Sequence, residues 1–128
     1  MRRKDMRSPL ARAIGLGSAK EGGREWWAER VSAVALIPLT LWFAASIIAH
    51  ADSDFASFVG WMRSPLVATL IILLLVALFR HTALGLQVVI EDYVHSAAKY
   101  AWVMSARLGC FALATAGMLA TLRIAFLG

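Results

Sequence analysis

Leu66-Val67-Ala68-Thr69-Leu70-Ile71-Ile72-Leu73-Leu74-Leu75-Val76-Ala77-Leu78-Phe79 is an apolar run that continues, without a turn signal, into Arg80-His81-Thr82-Ala83-Leu84-Gly85-Leu86-Gln87-Val88-Val89-Ile90-Glu91-Asp92-Tyr93-Val94-His95. From Pro65, a favourable first-turn residue, to about Ile90 the segment is long enough to cross a bilayer as a helix. Ionisable residues on such a segment are costly and usually functional. His81 and Asp92 are eleven residues apart, which is three helical turns. They therefore sit roughly 20° apart around the axis and roughly 16 Å apart along it. One helix face carries an imidazole at depth and a carboxylate at the membrane edge.

The whole chain agrees with a membrane setting. It has 128 residues, 60% hydrophobic and 16% charged, with a mean hydropathy of +0.69. A soluble domain of this length has too little interior to bury that much apolar sequence. The fold expected is therefore all-α, an integral membrane protein with three spans at about 31–49, 65–90 and 101–127 in one membrane-anchor domain. A single Cys110 excludes a disulfide within the chain.

Net charge is +5, but eight of the thirteen basic residues (Arg2, Arg3, Lys4, Arg7, Arg12, Lys20, Arg24, Arg30) precede the first apolar run. That asymmetry is an orientation signal placing the N-terminus inside and the C-terminus outside. No soluble domain remains to offer a basic surface to nucleic acid. Residues 1–24 read as a basic tail. An Arg-rich, acid-poor start also resembles a mitochondrial transit peptide. A chain that keeps its initiating Met1 is instead expected in a bacterial inner membrane.

Trp26 and Trp27 mark the interface before the first span, and Pro38 inside that span is expected to kink the helix rather than break it. Residues 50–64, with Asp52, Asp54 and Arg63, read as an outside loop with an interfacial helical turn. Residues 91–99 read as the second inside loop. Small residues at 105, 106, 109, 112, 114, 116 and 117 suit close helix packing in the third span. Arg107, two turns into that span, is expected to snorkel or to pair with a partner.

His81 has two readings. It hydrogen-bonds a neighbouring helix, or it serves as a neutral axial donor to haem iron. Gly85, one turn along the same face, would let a flat macrocycle approach. His50 and His95 lie at other depths, so a second axial ligand would come from another chain. Asp92-Tyr93 reads either as an interfacial pair or as a quinone site, the phenol donating to a carbonyl oxygen and Asp92 handling protons. Arg30 reads first as a positive-inside anchor and second as a contact for a headgroup, a haem propionate or a quinone oxygen. Metalloprotease, nucleophile-elbow and phosphate-loop motifs are absent from the sequence.

His81, followed eleven residues later by Asp92-Tyr93, with Gly85 and Gln87-Val88-Val89-Ile90-Glu91 between, resembles the D-type membrane anchor family of succinate dehydrogenase, respiratory complex II. Trp27, Arg30, Ser32 and Ala33 before a proline-containing span resemble that family's first helix. The resemblance runs from about Trp26 to Gly128. It implies that His81 is an axial ligand of haem b shared with a second anchor subunit, the two anchors packing into one helical bundle. It also implies a ubiquinone site at Tyr93 and Asp92 facing an iron–sulfur subunit, with succinate oxidised on a flavoprotein subunit. Arg30 would lie near the propionates or the quinone. Two alternatives stay open: a quinol:fumarate reductase anchor, and a non-redox helical scaffold in which His81 and Tyr93 only pack.

Overall fold

The computed structural model describes residues 20–127, with side chains from Gly23 onward. The basic tail expected up to residue 24 thus lies largely outside the described residues. Four helices follow in order: α1 (Lys20–Ala49), α2 (Phe55–Met62), α3 (Pro65–Tyr93) and α4 (Ala98–Phe126). There is no strand among the described residues. Three helices are long and apolar enough to cross a membrane, with spans at Gly23–Ala49, Pro65–Tyr93 and Ala98–Phe126. The expected all-α architecture is present.

α3 is the central element. It packs against α1 on one side and α4 on the other, while α2 touches α3 and α4. Accordingly α3 carries most of the core: Val67, Ala68, Ile71, Leu74, Leu84 and Gln87. Large apolar side chains elsewhere, such as Val34, Leu41, Phe111 and Leu119, are exposed. Lipid tails are as apolar as leucine, so such faces cost nothing in a bilayer and need no internal core.

Local chemistry explains the boundaries. Pro65 opens α3 at its first turn, where its missing N–H costs no helical hydrogen bond. α1 continues through Pro38, so the proline does not break it. The Asp54 side chain caps α2 by accepting from the Ser57 amide at 2.9 Å. The Ser57 side chain, then its amide, hold the Asp54 carboxyl below the usual carboxylate range. The cap is therefore intact at neutral pH and is lost only as pH falls through that lowered value. α2 is held beside the end of α1 by stacking: Trp61 lies 4.5 Å from His50 and 6.2 Å from Trp42, centroid to centroid.

The loop expected over 91–99 is shorter than the sequence suggested. Glu91, Asp92 and Tyr93 are the last residues of α3, Lys99 already belongs to α4, and the connection is only 94–97. The apolar pattern stops at Ile90, but the backbone ladder does not, and Val94 N–H still donates to the Ile90 carbonyl at 2.9 Å. At 29 residues, α3 is roughly 43 Å long against a hydrocarbon core of roughly 30 Å, so it tilts or projects.

Among the small residues of α4, Gly117 meets α3. A methyl placed there would lie 3.0 Å from Leu75 Cδ1, whereas at Gly109 it would meet nothing within 4 Å. Gly117→Ile is therefore expected to destabilise the α3–α4 pair by about 1–3 kcal/mol, the usual range for overpacking. A Gly109→Ile control should cost much less, and equal denaturation midpoints for the two variants would contradict this contact.

Candidate functional site

His81 stands on α3 where that helix faces α1. Its Nδ1 lies 3.2 Å from Ser32 Oγ, and Ser32 is one of the few buried polar residues, 6% exposed. The Ser32 hydroxyl also donates to the Glu29 carbonyl at 2.9 Å. A hydroxyl has one hydrogen and a carbonyl can only accept. Towards His81 the Ser32 oxygen therefore accepts, which puts a proton on Nδ1 and, in the neutral imidazole, leaves the lone pair on Nε2. Two helices thus hold the imidazole by one edge.

One turn further along, Gly85 is open: a Cβ there would meet no atom within 4 Å. The helix surface at Gly85 is therefore unfilled by this chain. A ring nitrogen with a free lone pair beside a cleared helix face fits an axially ligated macrocycle. Among the described residues no three His, Cys, Asp or Glu side chains cluster as a metal-binding group. His50 donates through Nδ1 to the Ser46 carbonyl at 2.8 Å and belongs to the aromatic cluster at the far end of α1.

Asp92 and Tyr93 end the same helix. Both are exposed, Tyr93 to 81%, so the phenol and carboxylate form a rim without a wall from this chain. Because α3 is unbroken from Pro65 to Tyr93, the roughly 16 Å rise from His81 to Asp92 holds. Arg30 lies two residues before Ser32, about 200° around α1. It is exposed and stacks its guanidinium on Trp26 at 5.2 Å. The structure brings His81 to Ser32 but does not bring Arg30 to His81.

A second polar group was not recognised as a unit in the sequence. Buried Gln87 donates to Glu91 at 2.9 Å and accepts from Arg107 Nη2. The same nitrogen donates to Glu25 at 3.3 Å. α1 and α4 do not pack directly, so Arg107 ties all three long helices through side chains. The Gln87–Glu91 spacing of four was legible in sequence, but the partners on α1 and α4 were not. Glu25, Gln87 and Arg107 line a groove of about 630 Å³ that also includes Arg80. Arg80 is roughly 100° from His81 around α3 and faces this groove instead.

Arg107→Leu would leave Gln87 without its charged donor. The ion pair with Glu25 is half-exposed and adds little. The bond to buried Gln87 dominates, so a loss of roughly 1–3 kcal/mol is expected in a detergent unfolding titration. An Arg107→Lys variant that recovers less than half of it would show that a positive charge alone is not enough and that the reach and planar geometry of the guanidinium are needed.

Together the three spans, the two-helix histidine and the exposed acidic-aromatic end of α3 define a small helical membrane protein. Comparison with known proteins is specific. A model for the succinate dehydrogenase/fumarate reductase transmembrane subunit matches residues 4–121, and the chain belongs to that family. A succinate dehydrogenase hydrophobic membrane anchor subunit from Rickettsia bellii (strain RML369-C) is 31% identical over 90 residues, covering 70% of this chain and 72% of the relative. The protein of the same description from Paracoccus denitrificans is 28% identical over 117 residues, 91% of each chain. No solved structure matches.

Proposed function

We propose that this chain is the hydrophobic membrane anchor of a succinate:ubiquinone oxidoreductase in a bacterial inner membrane, with its N-terminus inside. The family match over residues 4–121 carries this reading. The chain docks an iron–sulfur subunit and, through it, a flavoprotein subunit. It packs with a second anchor subunit against its open helix faces, which 60% hydrophobic composition and sparse internal burial leave available.

His81 Nε2 is the ligand this chain offers to haem b, and the partner anchor supplies the other. Haem b, when bound, accepts and returns single electrons between neighbouring centres. Ser32 holds the ring edge-on, and Gly85 clears the space beside it. Tyr93 donates its phenolic hydrogen to a ubiquinone carbonyl oxygen at the rim. Asp92, exposed to water, passes protons towards that oxygen as two electrons and two protons convert quinone to quinol. Arg30 remains the candidate for a propionate or quinone contact made across the subunit boundary, since its stacking on Trp26 leaves it at the surface.

The reverse reaction, quinol-driven fumarate reduction, is the second reading, because the matched family spans both enzymes. The succinate dehydrogenase relatives favour the forward one. The test is purification through a tag on this chain in mild detergent. Co-elution of flavoprotein and iron–sulfur subunits, with succinate-driven ubiquinone reduction, is the expected result. A chain that elutes alone, without either activity, would refute the proposal.

A further inference from the structure

Ser32 belongs to the first-helix pattern, which assigned it no role, yet it makes the side-chain hydrogen bond that holds the His81 ring. It is buried, sits on α1 rather than α3, and reaches His81 across 49 residues of sequence. Its hydroxyl hydrogen is committed to the Glu29 carbonyl one turn earlier, so the oxygen is available to His81 only as an acceptor. Histidines that bind metal through one nitrogen generally donate the other N–H to an acceptor, which fixes the tautomer and raises ligand basicity. Here the acceptor is a hydroxyl oriented by its own helix backbone.

We propose that Ser32 is a positioning residue for His81: it holds the ring proton on Nδ1, keeps Nε2 free as the ligating atom, and sets the donor strength of the imidazole. This rests on His81 being a haem ligand. The arrangement also makes the site depend on the α1–α3 packing, because the acceptor and the ligand belong to different helices. Without the Ser32 oxygen the ring can invert or exchange tautomers, and Nδ1–H loses its acceptor in a half-buried position. A less electron-rich imidazole stabilises ferric iron less, so the haem potential rises.

The test is Ser32→Ala and Ser32→Thr in the tagged complex, read by redox titration of haem b and by the rate of haem transfer to an apoglobin scavenger. Ser32→Ala should raise the midpoint potential and weaken haem retention, on the order of 10–100-fold by analogy with other outer partners of metal-bound histidine. Ser32→Thr, whose hydroxyl can make the same backbone bond, should stay near the unaltered complex. Unchanged potential and retention in Ser32→Ala would overturn the inference, as would equal shifts in both variants. If Ser32→Ala does not assemble, Ser32→Cys, a weaker acceptor, should give a partial shift, and no shift would again overturn it. A His81→Ala complex that keeps its low-spin haem would instead refute the ligand assignment underneath.

Discussion

Tyr93→Phe is expected to lower succinate:ubiquinone reductase activity roughly 100-fold while leaving haem b content and spectrum unchanged. The phenol is the group that would stabilise negative charge developing on the quinone oxygen, and loss of one such donor typically costs 10²–10³ in turnover. The ring itself is 81% exposed, so removing its hydroxyl breaks no internal contact and the fold should not respond. The distance to His81, twelve residues and roughly 18 Å of helix rise, separates the two readouts. Activity within twofold of the unaltered complex, measured with a short-chain quinone, would mean that the phenol is not a donor in the rate-limiting step.

His81→Ala is expected to have the larger structural selectivity: loss of the low-spin haem with retention of the helices. Alanine is the best helix former, so α3 should remain continuous. The change deletes one hydrogen bond, to Ser32, whose hydroxyl keeps its bond to the Glu29 carbonyl. No charged group is left stranded by the substitution. α1 and α3 also pack against each other, and the substitution removes only one side chain from that contact. The bundle should therefore assemble, with the haem site as the casualty.

Composition and apolar run length sufficed for the three spans, because in lipid every backbone group must be satisfied within a helix. The extent of α3 was less legible. Glu91, Asp92 and Tyr93 end the apolar pattern, but helix hydrogen bonding is indifferent to that pattern where a span emerges into water. His81 and Asp92 stood out as ionisable groups at meaningful heights on one face, with Tyr93 beside Asp92, and the family resemblance supplied the roles proposed for them. Ser32 and the Gln87–Arg107–Glu25 link could not be read in the same way. Each depends on which faces of α1, α3 and α4 meet, and a single serine or arginine carries no periodic signal of its contact. Arg30 shows the converse. It belongs to a recognisable pattern, yet within this chain it stacks on Trp26 and points about 200° away from the Ser32 side of its helix.

The reduced-minus-oxidised absorption spectrum of the purified His81→Ala complex, recorded before and after adding free imidazole, tests the central assignment most directly. Loss of the b-type α-band, restored in part by imidazole entering the vacated ligand position, is the predicted result. A b-type band of unaltered height and position in the His81→Ala complex would show that iron is held by other residues and would contradict the assignment.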